Sequence, residues 1–461
     1  MARIAKFRYG TTDVDMDFDA GAWHTVSWVP KATVDGEDVE ETPTVLIVTA
    51  DDDLMAAQIQ LLDDLMLRVT RYRENPSYEV PVWLHAKRND ETGERRAIVK
   101  RLSYTPLNAE FDCEAMQHQA SYQLNITRGG WWETTTTPGV AATTNLNVLG
   151  GAFDYTAAPA ADITGDGGRL GLLALTTSLA ARTYYYGWFG FRSSALHGTL
   201  ANFVPRWELE LSTLTDDTAV AADATASPGG AGNTKATCTF ATEAGWAARC
   251  TMYLTAAVGG ANYADNFGTF VVLLRAKITA GTADVRLYQM YKLDPMARVI
   301  GPIVEVATDE WVMYNLGVAQ IPMRDLRGIG TAVIAATRDM NYALRVSARQ
   351  TSGAGSLDMD CLVLVPADEY FLYAENMGGG TGDIAYITES PLGDLVSVAL
   401  DTGTNEIEAL GNVAANGDTV PPGDGRMYGV VARLSKETSI TDDWDPSLQV
   451  YSRWRSLRGN E

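Results

Sequence analysis

Apolar and polar positions alternate with a period of two along most of this chain, and one segment alone follows the helical period. In residues 1–133, "KFRYG", "DVDMDFDA", "HTVSWVP" and "TVLIVT" are rich in β-branched and aromatic residues between turn signals, which predicts strands. The string "DDDLMAAQIQLLDDLMLRVTRYREN" then repeats Leu54/Met55, Gln58/Ile59, Leu61/Leu62, Leu65/Met66, Val69 and Tyr72, which predicts one long helix. Thr49 is placed to cap it, three acids open it, Arg68, Arg71 and Arg73 close it in line with the helix dipole, and Pro76 stops it. Strand patterns resume in "VPVWLHAKR", "RRAIVKRLSYTPL" and "ASYQLNITRGGWW".

The threonine-rich stretch "ETTTTPGVAATTN" carries Pro138 and Gly139 and no apolar period, so a linker is expected over 134–146. Beyond it come short strand patterns without helices, among them "GLLALTTS", "TYYYGWFGF", "TFVVLLRAKI" and "LDMDCLVLVP". That density predicts a two-sheet jelly-roll sandwich over 147–375, with "ATASPGGAGNT" as a surface loop. A C-terminal β-rich region, 376–461, follows. The fold class is therefore mainly β: an α+β sandwich with one long helix over 1–133, then a jelly roll, then further strands.

At 461 residues the chain is long enough for two or three cores. Its net charge of -22 argues against a protein that grips nucleic acid by its phosphates. Residues 11–53 hold twelve acids against one lysine, Lys31, and without them the N-terminal third is slightly basic. The acidity there belongs to a face. Cys113, Cys238, Cys250 and Cys361 form no CxxC pair and have no histidine at metal spacing. Cys238 and Cys250 either face each other across a hairpin or are buried thiols. "MARIAKFRYG" has no apolar leader core, and no apolar run is long enough to span a membrane. A soluble protein made in the cytoplasm is expected.

The charge pattern singles out Asp13, Asp15, Asp17 and Asp19, interleaved with Val14, Met16 and Phe18. In a strand the four carboxylates share one face at a spacing of about 7 Å. A helix-loop-helix calcium site is excluded, because its Gly and Glu positions hold Phe18 and His24. The strip is then either an ordinary wet strand face or the wall of a passage for a polyanion.

In "TYYYGWFGF", Tyr184, Tyr186 and Trp188 share a face and could stack on a glycan, unless the strand is buried on both sides. Asp162 and Asp166 in "DITGDGG", with Asp358 and Asp360 in "DMD", are candidate calcium ligands or simple turn residues. No other cofactor is expected. Asp368 and Glu369 are adjacent and face opposite ways in a strand, a poor glycosidase pair. His24, His85, His118 and His197 are scattered, and no hydrolase, zinc-protease or Walker motif occurs. The expectation is a protein without enzymatic activity.

A sandwich with one helix of this length, closing on "YQLNITRGGWWE", resembles the tail-tube-like domain of tailed-phage distal tail and baseplate proteins. "LDMDCLVLVPADEYF" and "QVYSRWRSLRG" look like the same group. The resemblance implies a homohexameric ring at a virion tail tip, assembled in the host cytoplasm, with the jelly roll outside. It also implies other tail proteins as partners, a cell-surface glycan as a candidate partner, and DNA passing without specific binding. Asp13, Asp15, Asp17 and Asp19 would line the lumen, repelling DNA rather than holding it. The rival expectations are a free carbohydrate-binding adhesin and a tail tube protein with a decoration domain.

Overall fold

The computed structural model describes all residues except 1, 18–21, 35, 77, 89–92, 109–117, 136–140, 143–145, 148–150, 155–164, 178–182, 194–205, 216, 227, 230–231, 241–244, 254–267, 292–293, 322–342, 380–383, 402–405, 410–412, 417–419, 421–424, 434–442 and 458–461. The protein is mainly β, built from antiparallel sheets stacked as sandwiches, with one long α-helix among the described residues.

The N-terminal part contains β1 (Ala2–Tyr9), β2 (Thr12–Asp15), β3 (Trp23–Ser27), β4 (Val39–Glu41), β5 (Thr44–Thr49), α1 (Asp52–Glu74), β6 (Val82–Arg88), β7 (Arg95–Asn108), β8 (His118–Arg128) and β9 (Trp132–Thr134). Alternation works as elementary strand geometry requires: in β5, Val45 and Ile47 are buried between half-exposed neighbours. The helix buries Met55, Leu62, Leu65 and Val69 on the same core as Ile4, Phe7, Leu84 and Leu124, and Tyr72 on a smaller cluster with Trp83 and Ile98. Trp23 adds a tether, its indole Nε1 donating to Gln58 Oε1 at 2.7 Å. The cap is Asp51 rather than Thr49: its carboxylate accepts from the Leu54 amide at 2.8 Å, while the Thr49 hydroxyl donates to Asp51 O. Chain entry at residue 51 puts that carboxylate within reach of the first turn.

Strand pairing does not follow the division at 375/376. The closing strand Asp443–Trp454 pairs with β9 (Trp454 opposite Trp132) and, along its length, with Gly167–Thr177. It thereby continues the N-terminal sheet into the next unit, giving one 16-stranded sheet. Ala141 and Ala142, inside the expected linker, pair with Leu448 and Ser447 of the same strand. Leu457 reaches the N-terminal core. The chain is thus nested: a first sandwich completed by its C-terminus, a second layer pair built from residues before 194 and after 369, and an inner sandwich between them.

The inner unit is the jelly-roll part. Its strands divide between a seven-stranded sheet, containing Gly232–Thr239, Gly268–Ile278 and Ser356–Pro366, and a six-stranded one, containing Ala247–Tyr253, Thr282–Tyr291 and Ala343–Ser352. Cys238 and Cys250 therefore lie in different sheets of one core and not across a hairpin. Neither is in a disulfide, nor is Cys361. Burial pushes the Cys250 thiol up to about 12.

A five-stranded sheet, centred on Thr183–Ser193, is sandwiched on both faces. Phe189 and Phe191 pack towards Leu170, Leu173 and Leu175, while Trp188 packs towards Val271, Leu273 and Val363 of the inner unit. Gly190 is required here, because a Cβ would overlap the Tyr428 hydroxyl, which donates to Pro366 O.

Candidate functional site

The acidic strip folds as its alternation predicts through residue 16, with Asp13 and Asp15 outward and Val14 and Met16 buried. Phe18 and Asp19 lie outside the described residues. β2 is the terminal strand of the long sheet, next to β1. That neighbour carries the opposite charge. Lys6 Nζ meets Asp13 Oδ2 at 2.8 Å, Arg8 Nε lies 3.3 Å from Asp13 Oδ1, and Arg3 Nη1 donates to Asp17 Oδ1 at 2.9 Å. Pairing across β1 and β2 therefore offsets part of the strip's field, which a single strand's sequence does not reveal.

The aromatic strand is used differently from a glycan platform. Trp188 is 4% exposed and Tyr186 is half-buried, stacked with Tyr373 at 6.5 Å between centroids. These rings glue the five-stranded sheet to the inner sandwich, so Trp188 offers no free face. Tyr184 opposes Gly378 in the register, and its side chain lies outside the described set.

The four aspartates do not form one described site. Asp162 lies outside the described residues, and Asp166 accepts from the Arg455 amide at 2.7 Å. Asp358 and Asp360 are buried on Ser356–Pro366, each neutralised by a side-chain cation: Lys235 Nζ lies 2.6 Å from Asp358, and Arg275 Nη1 2.6 Å from Asp360. Asp223 joins them, holding Lys235 at 3.0 Å and Lys277 at 2.8 Å. Those hydrogen bonds hold its carboxyl well below the usual range against the opposing effect of burial. Of the candidate calcium ligands, Asp358 and Asp360 are thus neutralised by a lysine and an arginine. Glu208, Asp360 and Cys361 bring ligand atoms within 4.8 Å of one another, with Arg275 already on Asp360.

Asp368 pairs with buried Arg192 at 3.2 Å. His85 is buried, with Nδ1 3.2 Å from Glu94, and desolvation lowers it to about 4. His118 and His197 are not among the residues whose side chains are described.

A cleft of about 460 Å³ lies where the first sandwich meets the second unit. Asp38, Trp83, Lys100 and Trp131 line one wall, and Glu389 and Asp394 the other. Gly129 and Gly130 form part of the first wall; a Cβ on Gly130 would stand 2.4 Å from Glu37 O. Buried Arg128 fixes this loop, its Nη1 donating to Gly129 O at 3.0 Å and Gly130 O at 2.9 Å while Glu41 neutralises it. Opposite, the turn after Glu389 is closed by Ser390, whose amide donates to Asp394 O at 2.7 Å. Leu392 packs beside Tyr72, Trp83 and Ile98.

At the cleft floor, Arg169 and Arg453 bind Glu133, and Arg169 Nη1 donates to Glu389 O at 2.6 Å. The two arginines hold Glu133 at about 2 even though burial acts the other way. Burial dominates at Glu389 and raises it. "RGGWWE" carried a readable hint of a close backbone approach beside rings. Glu389, Asp394 and Arg453 carried none, being hundreds of positions away.

No family model matches this chain, and no curated protein does. Among solved structures, the N-terminal CBM22-1–CBM22-2 tandem domain of Xyn10C from Paenibacillus barcinonensis is 13% identical, covering 53% of this chain and 96% of that one at a TM-score of 0.22. The structure of infectious bursal disease virus Gt strain is 9% identical, covering 85% and 87% at a TM-score of 0.18. Scores this low carry no functional argument.

Proposed function

We propose that this chain is a structural virion protein of a phage tail tip, in which the N-terminal sandwich forms a ring and the nested sandwiches project from it. The observation that carries this reading is the nesting itself. Both later units enter and leave between β9 and the closing strand, in the middle of the long sheet's strand order, while β2 with its acidic strip is one end of that order and Glu406–Ala409 the other. A scaffold that repeats around an axis needs this separation of an assembling edge from a projecting module. Asp13, Asp15, Asp17 and Asp19 are assigned to the lumen, where the excess charge left after pairing with β1 repels DNA.

The reading is non-catalytic. Buried Glu133 and Asp360 and the partly exposed Asp368 are each committed to an arginine. Light scattering of the purified full chain tests the assembly: a particle near six times 49.9 kDa is expected. A monomer at every concentration up to that of a packed virion sinks it.

A further inference from the structure

We propose that the cleft between the first sandwich and the second unit is a binding site for a neutral saccharide, a site separate from the aromatic strand and independent of the ring reading. The volume of about 460 Å³ lies in the range of small-molecule sites, roughly 300–1,000 Å³. Its lining has the composition a sugar requires. Trp131, half-exposed, supplies ring surface for the apolar C–H face of a pyranose, beside buried Trp83 whose ring Arg96 covers, and Asp38, Lys100, Glu389 and Asp394 supply acceptors and a donor for hydroxyls.

Charge narrows the ligand class. Asp38, Glu133, Glu389 and Asp394 face Lys100 and Arg453, with Arg169 behind Glu133, so the charges compensate one another and the cleft offers no uncommitted cationic cluster for a phosphate, a nucleic acid or an acidic sugar. Lys100 is also held by Asp38 at 2.7 Å, which leaves a polar but compensated rim. The walls are preorganised on both sides. Arg128 pins the glycine loop under Trp131, Ser390 pins the turn that carries Asp394, and the sheet shared through the closing strand holds the two units together. A site that is rigid before binding loses little entropy on capture, which is what a weak, neutral, polyhydroxylated ligand needs.

The test uses the full chain with maltotriose, cellotriose and chitotriose, read by calorimetry and tryptophan fluorescence, with spermidine as the cationic comparison. At least one trisaccharide saturates at about 1 mM or below, and Trp131→Ala or Asp394→Asn weakens it by about tenfold. Asp394→Asn is isosteric, so it decides the matter if Trp131→Ala fails to fold. No saturation by any of the three sugars overturns the proposal. So does sugar binding that both variants leave unchanged, or saturation by spermidine alone.

Discussion

Glu133 and Arg169 grip each other in a buried two-point pair across the join between the first sandwich and the next unit, Nε to Oε1 at 2.7 Å and Nη2 to Oε2 at 3.1 Å. Arg453 of the closing strand adds a third bond to the same carboxylate at 3.0 Å. Three segments far apart in the chain therefore meet on one glutamate.

Removing the glutamate leaves two buried arginines without it. Glu133→Met is expected to lower stability by about 3–5 kcal/mol, and Arg169→Met by clearly less, because Arg453 stays bonded to Glu133. Denaturant unfolding of both variants beside the parent checks this; equal losses in the two would contradict it.

The same group sets a pH dependence with a definite sign. Glu133 is depressed in the folded state to about 2 from 4.5, so its contribution is complete above the higher value and is lost as pH falls through that window. Glu389 is shifted upward, so its ionisation weakens the fold as pH rises through its own window. Glu133→Gln is expected to flatten the acid limb of the stability profile and Glu389→Gln to flatten the opposing slope. Melting temperatures from pH 2 to 7 would show both.

Deleting the closing strand should do more than trim a terminus. It pairs with β9 and Gly167–Thr177, and Leu457 beyond it fills the first core. A chain ending at residue 442 is expected to expose both sheets and aggregate, while residues 1–134 joined by a short linker to 440–461 should fold and, on the ring reading, assemble. Solubility and sedimentation decide between these outcomes.

Replacing Asp13, Asp15, Asp17 and Asp19 by Asn should change stability by no more than about 1 kcal/mol, since the ion pairs with Lys6, Arg8 and Arg3 are at least partly open to solvent. If the strip faces a lumen, DNA ejection from particles carrying the variant slows, most at low ionic strength. An ejection rate unchanged at two salt concentrations would return the strip to a wet outer face.

Cys238, Cys250 and Cys361 should resist thiol reagents until the inner sandwich opens, because each is fully buried and the upward shift of Cys250 and Cys361 keeps the thiolate scarce. Peptide mass spectrometry after alkylation, native against denatured, reads each site. Fast native labelling of Cys250 would show that the core breathes far more than its packing implies.

What depends on neighbours along the chain was legible in the amino-acid order. Alternation placed Val14 and Met16 inside and Asp13 and Asp15 outside, and the helical period picked out Leu54/Met55, Gln58/Ile59, Leu61/Leu62, Leu65/Met66, Val69 and Tyr72, from which Met55, Leu62, Leu65, Val69 and Tyr72 form the buried stripe of α1. Both follow from fixed backbone periods of 2 and 3.6. Only the tertiary structure decided which strands meet. Nothing local in "QVYSRWRSL" shows that Arg453 joins Glu133, that Lys6 and Arg8 face the acidic strip, or that Lys235 and Arg275 occupy the aspartates of "DMD". Pairing partners are chosen by the burial and charge compensation of the whole fold, which act across space, and the cleft between the two units exists only once that choice is made.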